Sequence, residues 1–382
     1  MKNTIEQFLG GITPENFLQN YWQKKPLFVK RAFSNVDHLA TPQDLLEMAQ
    51  NENFETRMVT MAREEIPWDA MLGPFTKNQF PRNEKDKWTL IVHNLELYFK
   101  EFRQIKDMLN FIPTWQFDDI MSTYSVKGSS VGAHIDNYNV FIFQGMGKRH
   151  WQINENPDET YIENLPIKLL SNFKANQEFI LEPGDLLYLP PGVAHHGISL
   201  EESISYSIGY KSFDHTNMVS SFFGEFISIY NSSKCLKSHE KSVPENINEV
   251  REEHIDDVMN FFLKDVVTRD NVKKWFGKYI TAPRDEIICE EVLSTKEITA
   301  NLKASRPLYR DEFLRFNFIK EADDIKLIAN EHEYLISKED YNSLEILLDT
   351  PSCDVIKMPK DISESILKVI VSLINQGALF FQ

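Results

Sequence analysis

The chain has 382 residues, of which 42% are hydrophobic and 12% aromatic, and a formal net charge of −16. That length predicts more than one domain, and the apolar content excludes a wholly disordered chain. The acidic balance argues against nucleic acid, whose affinity rests on Lys and Arg neutralising phosphates, and suits a basic protein partner.

The N-terminus, MKNTIEQFLGGITPENF, holds no apolar run long enough for a signal peptide. No stretch reaches the roughly 20 apolar residues needed to cross a bilayer. Cys235, Cys289 and Cys353 are scattered, with neither zinc-site spacing nor a disulfide pattern. A cytoplasmic, reducing setting without membrane contact is the expectation.

Thr13-Pro14-Glu15 predicts a helix start, with Thr as N-cap and Pro at the first helical position. That helix should stop at Lys25-Pro26, and LFVK (27–30) reads as a strand. From about 115 to 212, short strand-like segments rich in β-branched and aromatic residues dominate, broken by Gly, Pro and Asn. This pattern predicts a β-barrel or sandwich.

The segment 218–230 (MVSSFFGEFISIY) carries Met218, Phe222 and Phe226 beside Val219, Phe223 and Ile227, which predicts a helix with a wide apolar face. Core and dimer surface are both open for that face. A second helical region follows at about 249–280. The last hundred residues mix short strands with helices near 339–348 and 362–375, as in a small α+β or winged-helix-like domain. Residues 285–382 hold 11 Lys and Arg against 19 Asp and Glu, so phosphate binding is not expected of it. It reads as scaffolding or a protein-binding piece.

Chemistry concentrates in GAHIDNYNVFIFQGMGKRHWQI (132–153) and LEPGDLLYLPPGVAHHGIS (181–199). Alternate side chains on a strand share a face, so His134 and Asp136 point the same way. One further ligand from another strand would complete two His and one carboxylate on a non-haem Fe(II), leaving positions open for a 2-oxo acid and O2. His195 or its neighbour His196, after the rigid turn Pro190-Pro191-Gly192, can supply it. Adjacent residues on an extended chain face opposite ways, so only one of them enters.

On the strand after Gly147, Arg149 shares a face with Trp151 and Ile153, while Lys148, His150 and Gln152 face out. An inward Arg needs an anion, either an internal Asp or Glu or the far carboxylate of a cosubstrate.

These two segments resemble the JmjC cupin oxygenases, and within them the bacterial ribosomal oxygenases that hydroxylate an arginine of a large-subunit ribosomal protein. FLQNYWQKKPLFVKRAF, WQFDDIMSTYSV and FGKYITAPR carry weaker matches. The resemblance implies a JmjC-type double-stranded β-helix barrel over 1–213, mainly β with added helices. It further implies a helical dimerisation region over 214–284 that makes a homodimer, and a winged-helix-like domain over 285–382.

The resemblance selects His195 over His196 as third ligand. It assigns Arg149 to the 2-oxoglutarate carboxylate with Thr123 as a hydroxyl donor, and Ser125 shares the face of Thr123. An arginine substrate should be gripped by carboxylates and an aromatic plane. Asp118, Asp119 and Tyr138 are the candidates near the motif. The cofactors implied are Fe(II) with 2-oxoglutarate and O2 as cosubstrates. Alternative readings are hydroxylation or demethylation of a histidine or lysine on another basic protein, and a metal-holding cupin without catalysis.

Overall fold

Thr13 caps the helix Pro14–Asn20 as its sequence dictates, its hydroxyl accepting from the Asn16 amide at 3.3 Å. The computed structural model describes residues 5–34, 36, 39–61, 68–82, 85–230, 235, 246–283, 287–289, 291–311, 313–350 and 354–382. Cys353, Arg284 and most of the polar stretch 231–245 lie outside the described residues. The chain divides into two compact units, Met1–Phe213 and Asp214–Gln382. The expected cut between 284 and 285 falls inside the second.

The first unit is built on twelve strands: β1 (Leu27–Val29), β2 (Thr56–Met61), β3 (Trp68–Leu72), β4 (Trp88–Val92), β5 (Phe117–Ser125), β6 (His134–Ile135), β7 (Tyr138–Met146), β8 (Arg149–Asn154), β9 (Gln177–Leu181), β10 (Leu186–Leu189), β11 (Ala194–Ser199) and β12 (Ser203–Lys211). All pairings among them are antiparallel. Eight form a large sheet in the order β1-β10-β7-β12-β5-β4-β2-β3, and four form a smaller sheet in the order β6-β11-β8-β9. This is the two-sheet jelly roll expected of a cupin.

Strand alternation sorts the apolar residues into two cores. On β7, Val140 and Ile142 pack with Trp151, Ile153, Leu187 and Leu189 between the two sheets. Their neighbours Phe141 and Phe143 join Phe8, Phe17, Phe102, Tyr188 and Tyr206 on the opposite face, beneath the N-terminal helices. Both faces of the large sheet are therefore covered, which is why NVFIF and LLYL read as continuous apolar runs and not as alternating ones. Each such fully buried aromatic contributes roughly 1.5–3 kcal/mol of transfer free energy.

In the second unit the apolar segment forms the helix His215–Ile229, capped by Asp214. The second helical region is not continuous: Glu252–Phe261 runs into a π-type turn, Phe262–Val266, before Arg269–Thr281. Arg269–Thr281 packs on β14 (Phe316–Lys320) and β15 (Asp324–Ala329), which with β16 (His332–Ser337) form a three-stranded sheet. β13 (Leu308–Arg310) and β17 (Leu379–Phe381) form a separate pair. The helices Tyr341–Asp349 and Glu364–Ile374 close this core through Leu344, Leu347, Ile366 and Ile370. Among the described residues no helix is long and apolar enough to cross a membrane.

Candidate metal centre and cavity

β6 and β11 are antiparallel neighbours, and their register sets His195 directly opposite His134. Asp136 follows β6, and its carbonyl accepts the Gly192 amide at 3.0 Å, tying the Pro190-Pro191-Gly192 turn to the ligand strand. Gly192 has φ +83°, a left-handed conformation that favours glycine and lets the turn deliver His195. Asp136 Oδ2 lies 3.7 Å from His134 Nε2 and 3.5 Å from His195 Nε2. The three ligand atoms lie within 4.8 Å of one another, and among the described residues no other cluster of this kind occurs.

The outer nitrogens explain why the inner ones converge. His134 Nδ1–H donates to the Gly132 carbonyl at 3.0 Å and His195 Nδ1–H to the Val193 carbonyl at 3.1 Å. Each bond fixes a tautomer that leaves Nε2 free for a metal. His195 is buried, and burial pushes its pKa down, so it stands neutral and ready to ligate. Burial would raise the Asp136 carboxyl, but His134, His195 and Arg57 outweigh that effect and hold it below the usual carboxylate range. Two imidazoles and one carboxylate form the donor set that suits Fe(II) with positions left open. His196 points to the other face, its ring edge-on to Phe173 at 6.0 Å.

A cavity of about 330 Å³ adjoins these ligands, walled by Val140, Ile142 and Trp151 and reaching Arg149. Arg149 is only 2% exposed. Its Nη atoms donate to Ser205 Oγ at 3.3 Å and Ser125 Oγ at 2.6 Å, and its Nε has no partner among the described residues. No carboxylate among the described residues pairs with it, which removes the internal Asp or Glu alternative there. Burial lowers its pKa to about 10, so it remains a cation near neutral pH.

The other candidates separate by position. Thr123 lines the cavity. Ser125 is fully buried, and its hydroxyl is engaged by Thr89 Oγ1 at 2.9 Å and by Arg149; it positions the guanidinium from behind. Asp118 pairs with Lys211 at 3.3 Å, and Lys211 lies opposite Tyr138 in the β7–β12 register. Tyr138 is 40% exposed. These two form a polar row two residues beyond Asp136 and do not line the cavity. Asp119 instead holds His93 Nδ1 at 2.8 Å.

Sequence reading missed two parts of this wall. One is Arg57 on β2, whose signal is a cation on the same strand face as Val59. The other is the loop segment Pro166–Leu169. It is anchored by the Leu170 amide on the Ala133 carbonyl at 2.9 Å, and no local periodicity announces it.

A jelly roll whose inner face carries His134, Asp136 and His195 defines the class of domain present: residues 104–218 form a JmjC domain on a cupin fold. The family model described as "JmjC domain" matches residues 104–218. Its relatives include the ribosomal protein uL16 3-hydroxylase of Escherichia coli K12, 26% identical over 96% of this chain and 97% of that one. A Haemophilus influenzae protein described as "Probable ribosomal oxygenase" is 36% identical over 54% of this chain, a match that spans 52% of that relative. Among solved structures, E. coli YcfD in complex with cobalt and 2-oxoglutarate superimposes with a TM-score of 0.78 at 26% identity, over 97% of this chain and 98% of that one.

Proposed function

We propose that the chain is an Fe(II)- and 2-oxoglutarate-dependent protein hydroxylase that acts on carbon 3 of an arginine in a large-subunit ribosomal protein. The observation that carries this reading is the pairing, in one cavity, of the His134–Asp136–His195 cluster with a buried Arg149 that pairs with no carboxylate among the described residues. The relation to the E. coli uL16 3-hydroxylase supports the target.

Fe(II) with 2-oxoglutarate and O2 supplies, when bound, the oxidising chemistry that turns a C–H into C–OH with release of succinate and CO2. His134, Asp136 and His195 would hold the metal. Arg149, aimed by Ser125 and Ser205, anchors the far carboxylate through charge-assisted N–H donors. The Thr123 hydroxyl donates to the same group. Val140, Ile142 and Trp151 keep that end of the cavity dry, which strengthens each polar contact. Outside the cavity, Asp118 and Tyr138 offer a carboxylate and a ring face to a guanidinium.

Residues 214–284 serve as the dimerisation region of a homodimer in this reading. Val219, Ile227, Ile255 and Leu263 are 56%, 73%, 47% and 60% exposed, an apolar surface that a second copy would cover. A basic substrate suits the net charge of −16, and a ribosomal one implies a cytoplasmic location without direct nucleic-acid binding by the C-terminal part.

The test is anaerobic Fe(II) reconstitution followed by succinate release from 2-oxoglutarate, with and without an arginine-containing peptide of the basic ribosomal protein. Mass spectrometry should find one added oxygen on the arginine, lost in His195→Ala. Turnover without peptide modification would remove the substrate and keep the oxygenase. Absence of both metal binding and succinate would leave a non-catalytic cupin.

A further inference from the structure

A second pocket, of about 340 Å³, lies beside the segment that carries Asp136, and its wall includes Pro191, Lys211 and Ser212. Each of these is tied to that segment. Gly192, next to Pro191, donates its amide to the Asp136 carbonyl at 3.0 Å. Lys211 lies opposite Tyr138 in the strand register, and Ser212 Oγ accepts from Asn139 Nδ2 at 3.2 Å. The wall is also held from behind: Asn139 Oδ1 accepts the Tyr188 hydroxyl at 2.7 Å, and the Tyr188 oxygen accepts the amide of Gln23, a further lining residue, at 2.8 Å. Residues 136–139 therefore adjoin this pocket, while Asp136 itself lines the metal cavity.

The pocket has a chemistry of its own. Trp115 and Phe213 make an aromatic wall, their rings 5.5 Å apart and tilted by 32°. Both are half-buried, and neither is part of the two cores described above. Gln116, beside Trp115, keeps its Oε1 enclosed and without a partner among the described residues. Such an acceptor calls for an N–H or O–H and disfavours an anion. Lys211 disfavours a cation, because its partner Asp118 is not part of the wall and no other Asp or Glu lines it. What fits is an uncharged side chain with an apolar body and a hydrogen-bond donor, such as tyrosine, tryptophan or glutamine.

Resting on the protein-hydroxylase reading, we infer that this pocket receives an uncharged, donor-bearing side chain of the substrate polypeptide, one that flanks the target arginine. An extended chain covers roughly 3.3 Å per residue, so a flank within about four residues of the target reaches from the cavity past residues 136–139. The two sites would then divide the work: the cavity selects the arginine, and the aromatic pocket selects which arginine.

The test is a double-mutant cycle on peptide binding, read by anaerobic calorimetry with the full-length protein loaded with redox-silent Mn(II) and 2-oxoglutarate. The peptide centres on the arginine that the assay above modifies, with about four residues on each side, and each flanking residue is changed in turn to alanine. One flanking change should weaken binding to wild type by about tenfold or more, as expected of an anchor in a pocket. Trp115→Ala should weaken the parent peptide by a similar factor and be insensitive to that one change. Gln116→Met should lose affinity for the parent peptide. It should no longer distinguish the occupant from an analogue without the donor, such as phenylalanine for tyrosine. Lysine or glutamate at the same peptide position should bind wild type worse than alanine does.

Additive losses at every flanking position, or parent-peptide affinity in Trp115→Ala equal to wild type, would overturn the inference. So would a loss matched by weaker 2-oxoglutarate binding, which would make Trp115 part of the scaffold. If Trp115→Ala does not fold, Gln116→Met carries the same cycle. A wild-type protein that binds 2-oxoglutarate and modifies no arginine peptide is a distinct result, and would remove the substrate reading along with this one.

Discussion

His134 and His195 face each other across β6 and β11 with ring centroids 4.2 Å apart, while His196, one residue on, turns away. This parity supplies an internal control. His195→Ala should weaken Mn(II) or Fe(II) binding by more than the roughly 10–100-fold lost when an outer-sphere partner of a metal ligand is removed. His196→Ala should bind metal like the wild type. Equal losses in the two variants, read by calorimetric titration, would contradict the ligand assignment.

Arg149 is a buried cation without a carboxylate partner among the described residues, and the hydroxyls that hold it have other partners. Ser125 also contacts Thr89, and Ser205 donates to Gln144 Oε1 at 2.8 Å. Replacing the guanidinium by an apolar chain therefore strands no polar group and relieves a desolvated charge. Arg149→Met should unfold at a midpoint no lower than wild type in a thermal melt, yet bind 2-oxoglutarate at least about 100-fold more weakly. A large drop in the midpoint would mean the charge has a structural partner.

Gly132 has φ +88°, and a Cβ there would come within 2.7 Å of Leu169. Gly132 also supplies the carbonyl that fixes His134. Gly132→Ala should cost about 1–3 kcal/mol in urea unfolding through backbone strain and overpacking. Metal affinity should fall with it, since the His134 carbonyl partner moves. Wild-type stability in this variant would show that the 166–169 segment yields freely.

Burial holds His195 and His196 down, His196 to about 4. Both titrate near 6.5 in an unfolded chain. Below that value the unfolded state binds more protons than the folded one, so stability falls with falling pH. The stabilisation is complete above about pH 6.5 and is lost progressively towards pH 4, at about 1.4 kcal/mol per unit for a buried histidine and less for the partly exposed His196. Urea unfolding of metal-free protein at a series of pH values should show this slope, and His196→Gln should flatten it. A flat profile in the wild type would contradict the burial effect.

The H-x-D spacing, the P-P-G turn and the alternation around Arg149 were legible because each is local: two- or three-residue periodicity decides which way a side chain points. Choosing between His195 and His196 needed the register of β11 against β6, which periodicity does not contain. Ser125 shows the limit of parity. It shares a strand face with Thr123 but lies behind Arg149, because depth along the barrel depends on strands distant in sequence. Arg57 was invisible for the same reason, since β2 reaches the cavity only through two further strand pairings.

The link between the Asp136 carbonyl and the Gly192 amide joins two stretches of chain that meet only when the barrel is closed. A divalent ion on His134, Asp136 and His195 would span the same seam and act as a reversible cross-link, binding the closed barrel and not the unfolded chain. Folding and metallation then share one free energy, and the fraction of chain folded becomes a readout of free metal. For a cell short of iron, the same loss of metal that empties the site would also withdraw stability from the barrel and open it more often to proteases.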